Sequence, residues 1–155
     1  MCIQQLKKFV FGLLLLLIVV GCKGSLTTET SSDKFPSKEE RVTFLKKYVT
    51  VYSDVIDTQF YIDYHDNSGM PPGPSDWNIL VAMKVPPETV KDWVDKDFEA
   101  VSGQEVKLSW WDTLKLDDTI WSRSSQPKFY TKKNQSIYMA IYEQEGIILK
   151  KMSAM

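Results

Sequence analysis

With 155 residues, 43% of them hydrophobic and 25% charged, the chain has the make-up of a globular protein and not of a disordered or fibrous one. Its 19 basic and 20 acidic side chains give a formal charge of −1, which excludes the dense cationic surface that a nucleic-acid partner demands. The two cysteines, Cys2 and Cys22, both lie near the N-terminus, so no disulfide framework staples the body of the chain.

The first element is a leader. Lys7 and Lys8 form a short basic region, and Phe9 to Val20 follows, twelve residues that are apolar except for Gly12. A spanning helix needs about 20 apolar residues, whereas a secretory core segment has this shorter length. The lysines orient it, because basic residues stay on the cytoplasmic side. A non-cleaved transmembrane helix with an incidental cysteine is the competing reading, and it fits the length less well. Plain secretion wants a small-residue A-x-A-like site, and none precedes Cys22.

Val19-Val20-Gly21-Cys22 resembles the bacterial lipobox, which is aliphatic, small or aliphatic, small, then cysteine. The resemblance covers only the first 22 residues. It implies that 1–21 is a lipoprotein signal peptide and that Val19, Val20 and Gly21 are recognised by a dedicated signal peptidase. Cys22 would then carry a diacylglyceryl group and often an acylated α-amino group. The partner so implied is a bacterial membrane, held through covalent lipid; two or three acyl chains suit stable anchoring, where one holds only marginally. Lys23 replaces the aspartate that favours inner-membrane retention in enterobacteria, which points to the outer membrane in a Gram-negative cell. Lys7 and Lys8 leave with the leader, so the mature 134 residues keep 17 basic and 20 acidic side chains, a formal charge of −3. With Cys22 lipidated, no thiol remains for a disulfide, a zinc site or a cysteine nucleophile.

Residues 22–34 are expected to be the lipidated cysteine and a flexible tether. Lys23 to Lys34 is rich in Ser and Thr with one sizeable apolar residue, Leu26, too little to offset ordering entropy by burial. Such a coil would span about 20 Å, and about 40 Å at full stretch.

A single globular domain is expected over 35–155. Ser37 and Glu40 form an S-x-x-E capping box, and Val42, Leu45 and Val49 recur at helical spacing, widened by Phe44, Tyr48 and Tyr52, which predicts a helix over 38–52. Ile56, Thr58, Phe60, Ile62 and Tyr64 alternate with polar residues as in a strand. A loop dense in Gly and Pro runs from His65 to Ser75. A second strand carries Trp77, Ile79, Val81, Met83 and Val85 on one face, and it can pair with the first as a hairpin. Pro86-Pro87 opens a second helix with Val90, Trp93, Val94 and Val101 as its buried stripe, ended by Gly103. The stretch 104–125 is ambiguous. Ile137, Met139 and Ile141, a turn at Glu143-Gln144-Glu145-Gly146, and Ile147-Ile148-Leu149 predict a terminal hairpin. The fold class expected is α+β, a mostly antiparallel sheet with about two helices packed on one face.

Catalytic and metal signatures are weak. Asp63 and His65 share a strand face with Asp66 beside them, but a zinc site wants three or four protein ligands and His65 is the only histidine. The same loop breaks the calcium pattern D-x-[DN]-x-[DN]-G. Asp117-Asp118, Glu39-Glu40 and Asp95/Asp97 are adjacent acids on polar stretches, which does not make an acid–base pair. No metal, cofactor or catalytic residue is assigned. Asn134-Gln135-Ser136 matches a glycosylation sequon by chance.

Five tryptophans join seven tyrosines and seven phenylalanines, an aromatic surplus. If their segment is a strand, Trp110 and Trp111 point to opposite faces, and one of them is a candidate binding surface. The function expected is a non-enzymatic envelope lipoprotein that binds another envelope protein in an assembly, adaptor or immunity-type role. The alternative is a lipoprotein that binds a small ligand or glycan in a cleft lined by Trp and Tyr.

Overall fold

The computed structural model describes residues 26–68, 73–101, 108–132 and 136–154. The leader, Val19, Val20, Gly21 and Cys22, together with Gly103, the sequon residues Asn134 and Gln135, and the centre of the Gly/Pro loop, lie outside them. The described strands are β1 (Leu26–Ser31), β2 (Asp57–Asp66), β3 (Asp76–Lys84), β4 (Phe98–Ala100), β5 (Lys128–Lys132), β6 (Ser136–Tyr142) and β7 (Ile147–Ala154). They form one sheet in the order β1-β2-β3-β7-β6-β5-β4, and every neighbouring pair is antiparallel. The fold is therefore a sheet-rich α+β arrangement.

Both faces of the sheet are buried at its centre. One face carries Phe60, Ile62, Ile79, Val81, Met83, Met139, Ile141, Ile148 and Met152, clustered with Leu45, Val49, Val90 and Trp93. The other carries Leu80, Ala82, Ala140, Tyr142, Ile147 and Leu149, clustered with Trp111, Leu114 and Trp121. Ile79 to Met83 is consequently a continuous buried run, as a strand covered on both sides should be.

The two hairpins read from alternation are present. β2 pairs with β3 from Asp57↔Lys84 to His65↔Asp76, and β6 pairs with β7 from Ser136↔Ser153 to Tyr142↔Ile147. Gly146 holds a left-handed φ of 66° at the second turn, and a Cβ there would run into the Val85 carbonyl oxygen. Its own carbonyl accepts from the Val85 N–H at 2.8 Å, which ties this turn to the end of β3.

Three expectations need correction. The coil expected over Lys23–Lys34 is, from Leu26 on, strand β1 followed by a 3-10 turn, Ser32–Lys34. Threonine-rich sequence suits a pleated edge; backbone pairing with β2 stabilises it where side-chain burial does not. The buried Ser32 hydroxyl also donates to Gln59, and the Lys34 ammonium caps the outward Glu29 carbonyl at 2.6 Å.

The first helix, α1, covers only Lys38–Leu45. Ser37 caps it as the sequence implies, accepting from the Glu40 N–H at 3.2 Å. Beyond Leu45 the chain tightens into i→i−3 bonds, from the Lys47 N–H to the Phe44 carbonyl at 3.2 Å and from the Tyr48 N–H to the Leu45 carbonyl at 2.9 Å, ahead of the β-branched run Val49-Thr50-Val51. Arg41 fastens α1 to β2 through Asp57 at 2.6 Å and the Thr58 carbonyl at 3.0 Å.

The second expected helix is a 3-10 segment, Pro87–Trp93, and what was read as its C-terminal half contains strand β4. Asp95 explains the break: its carboxylate accepts from the Asp97 N–H at 2.9 Å and offers the backbone a turn in place of a helix. Trp93 stays buried, with its indole N–H bonded to the Ser53 hydroxyl at 2.9 Å.

Candidate functional site

A concavity lined by Tyr48, Tyr64 and Trp77 is floored by three strands at the β1 edge of the sheet. Two cross-strand rows make the floor. Thr28, Tyr64 and Trp77 form one, and Thr30, Ile62 and Ile79 the other. Lys47 and Tyr48, in the turn that follows α1, form the wall. The groove has a volume of about 600 Å³. Ile62 and Ile79 belong to the core, while Tyr48 and Tyr64 are 47% and 41% exposed. Among its described lining residues the polar side chains besides the two tyrosines and the indole are Thr28, Thr30 and Lys47. Leu26 shares the face of Thr28 and Thr30 by strand alternation, and at 65% exposure it is the most exposed large apolar residue described.

A smaller concavity of about 430 Å³ lies beyond Lys47, lined by Phe35, Phe44, Thr43 and the Glu39-Glu40 pair. Phe44 stacks on Phe60 at 5.5 Å and packs on Tyr48 at 5.4 Å, so the aromatic wall is continuous with the core. Glu39 and Glu40 sit in the first turn of α1, where carboxylates complement the helix dipole.

His65 and Asp63 lie on the opposite face of β2, as their spacing requires. The Asp63 carboxylate is 3.2 Å from His65 Nε2, and the Thr27 hydroxyl of β1 is 2.8 Å from His65 Nδ1. A hydroxyl, an imidazole and a carboxylate in series form the relay of nucleophilic hydrolases, here with the imidazole reversed and 43% exposed at an open strand end. The groove and the relay share no residue. Asp63 and its cross-strand partner Asn78 each keep an Oδ1 buried with no hydrogen-bond partner among the described residues. Asp66 does not join His65; the Ser68 hydroxyl first, then the Ser68 N–H at 2.9 Å, draw its carboxyl below the usual range. Among the described residues no group of three or more His, Cys, Asp or Glu side chains converges as a metal site.

Several other acids have structural partners. Asp95 and Asp97 flank Lys132 at 3.7 and 3.3 Å. Asp117 accepts from the Thr119 hydroxyl at 2.7 Å foremost, then from the Thr119 N–H at 2.8 Å, which lowers its pKa and closes a turn. Glu145, which drew no attention in sequence, takes four hydrogen bonds from Ser124 and Ser125 at 2.5–2.8 Å. The Ser125 hydroxyl foremost, then Ser124, hold its carboxyl down at about 2. Lys150 is buried beside Phe98, and burial, then the nearby Lys132 charge, push its ammonium pKa down.

Trp110 and Trp111 sit in a 3-10 helix, Leu108–Leu114, and not in a strand. Three residues per turn set neighbours about 120° apart rather than on opposite faces. Trp111 is core: 5% exposed, edge-on to Trp121 at 6.5 Å, with the Arg123 guanidinium 4.4 Å from its ring centre. Trp110 is half-buried against it at 6.3 Å. The exposed aromatics that line a concavity are instead Tyr48 and Tyr64, with the half-buried Trp77. Only the exposed end of the Ile56–Tyr64 alternation hinted at this, because the groove needs β1 in place.

No protein-family model, curated protein or solved structure matches this chain. No helix among the described residues is long and apolar enough to cross a membrane.

Proposed function

We propose that this chain is a bacterial envelope lipoprotein, cut before Cys22 and anchored there by lipid, whose domain is a non-enzymatic binding module. In this reading α1 and the Pro87–Trp93 segment cover one face of the sheet, and the groove at the β1 edge receives an apolar ligand. The groove is the observation that carries the binding role. About 600 Å³ lined by Tyr, Trp and Ile is the size and chemistry of a small-ligand site. That favours the ligand-binding alternative over the adaptor role expected first. A protein partner keeps one observation of its own, the exposed Tyr48, Tyr52 and Ile56 in the segment after α1. The anchor is supported by the lipobox-like Val19-Val20-Gly21-Cys22 behind a twelve-residue apolar run. Growth with labelled palmitate tests it: the wild-type chain takes up label and Cys22→Ser does not. Equal labelling of both overturns the anchor.

A further inference from the structure

The groove and the anchor are close along the chain. Only Lys23, Gly24 and Ser25 separate Cys22 from β1. At no more than about 3.5 Å per residue, Leu26 lies within roughly 14 Å of Cys22 and Thr28 within roughly 21 Å. The 12-residue coil that would carry the domain away from the bilayer is largely absent, since most of that stretch is β1 and its following turn.

We propose that the groove takes one acyl chain of a phospholipid from the membrane that holds Cys22, with the phosphate at Lys47. The proposal rests on the anchoring reading above. Three observations choose this occupant. Ile62, Ile79, Tyr64 and Trp77 give the floor an apolar strip beside Thr28 and Thr30, and no carboxylate is among its described lining residues. An acyl chain would lie along the apolar faces of Ile62, Ile79, Tyr64 and Trp77, and each CH₂ kept from water contributes roughly 0.8 kcal/mol. A partner β-strand would need the free backbone of β1, but the Lys34 ammonium already occupies the Glu29 carbonyl at 2.6 Å. The cation comes from Lys47, whose ammonium lies 5.2 Å from the Phe44 ring centre.

The full chain, reconstituted in vesicles of phosphatidylethanolamine and phosphatidylglycerol, tests this with a trace of phosphatidylglycerol bearing a mid-chain diazirine. After photolysis, the probe should map to β2 and β3 at Ile62, Tyr64, Trp77 and Ile79. Thr28→Trp fills the groove from the exposed edge without entering the core, and should lower that labelling about ten-fold at an unchanged melting temperature. Lys47→Glu should weaken labelling by the phosphatidylglycerol probe more than by its phosphatidylcholine analogue. Label confined to residues before Leu26, spread over both sheet faces, or unchanged in Thr28→Trp overturns the proposal. Cys22 carrying lipid while the groove stays unlabelled rejects the acyl-chain site and leaves the anchor standing. Groove labelling in a chain without lipid on Cys22 supports the site and rejects the anchor.

Discussion

Replacing Gly146 by alanine should destabilise the protein by about 3 kcal/mol. Two terms combine. A left-handed φ costs an L-residue about 1–2 kcal/mol, and Gly146 sits at 66°. The new Cβ also meets the Val85 carbonyl oxygen, and relieving that contact strains the 2.8 Å hydrogen bond from the Val85 N–H to the Gly146 carbonyl, worth about 1 kcal/mol. At roughly 3–4 °C per kcal/mol for a domain of this size, the melting temperature of the full chain should fall by about 10 °C. Thermal unfolding followed by circular dichroism reads it. Gly146→Asn separates the two terms, because asparagine tolerates the left-handed region yet carries the same Cβ. It should remain well below wild type. An alanine variant that melts like wild type would refute the reasoning, as would an asparagine variant that recovers full stability. The consequence reaches the groove, because β7, which this turn launches, pairs with β3, and β3 supplies Trp77 and Ile79 to the floor.

Glu145 sets an acid limb of stability. Its carboxyl is held at about 2 when folded and returns to about 4.3 when unfolded. The stability it contributes is therefore present above about pH 4.3 and is lost as pH falls toward 2. Urea unfolding across this range should show Glu145→Gln converging on wild type at low pH and less stable than it at neutral pH; a constant gap at every pH contradicts the assignment. Trp111→Ala should lose about 3–5 kcal/mol, as a buried aromatic does, while half-buried Trp110→Ala should lose distinctly less. Chemical denaturation of both variants measures this, and equal small losses would return Trp111 to the surface.

The sequence made some elements legible and hid others for physical reasons. β2 and β3 declare themselves through alternation at Ile56–Tyr64 and Trp77–Val85, and the terminal hairpin through Ile137–Ile141, Gly146 and Ile147–Leu149. Local chemistry also fixed the Ser37 cap. β1 stayed hidden because Leu-Thr-Thr-Glu-Thr-Ser buries little side chain, and its stability comes from backbone pairing with residues 30 to 40 positions away. β4 and β5 are short and flanked by charge, and β4 is defined only by its pairing with β5, itself held by β6. The second helix failed on a detail of side-chain geometry, the Asp95 turn, which competes with helix at that point. The candidate site inherited these gaps. Asp63 and His65 could be placed on one face from spacing alone, but their link to Thr27 and the groove on the other face both require β1. Trp110 and Trp111 would oppose each other only in a strand, and the segment's mixed pattern hid the 3-10 helix that carries them.

The intact mass of the chain purified from membranes tests the anchoring claim most directly. The account predicts a species beginning at Cys22 and heavier than residues 22–155 by a diacylglyceryl group, with or without one further acyl chain. A mass that begins at Met1, or that begins at or after Cys22 with no lipid attached, would contradict it.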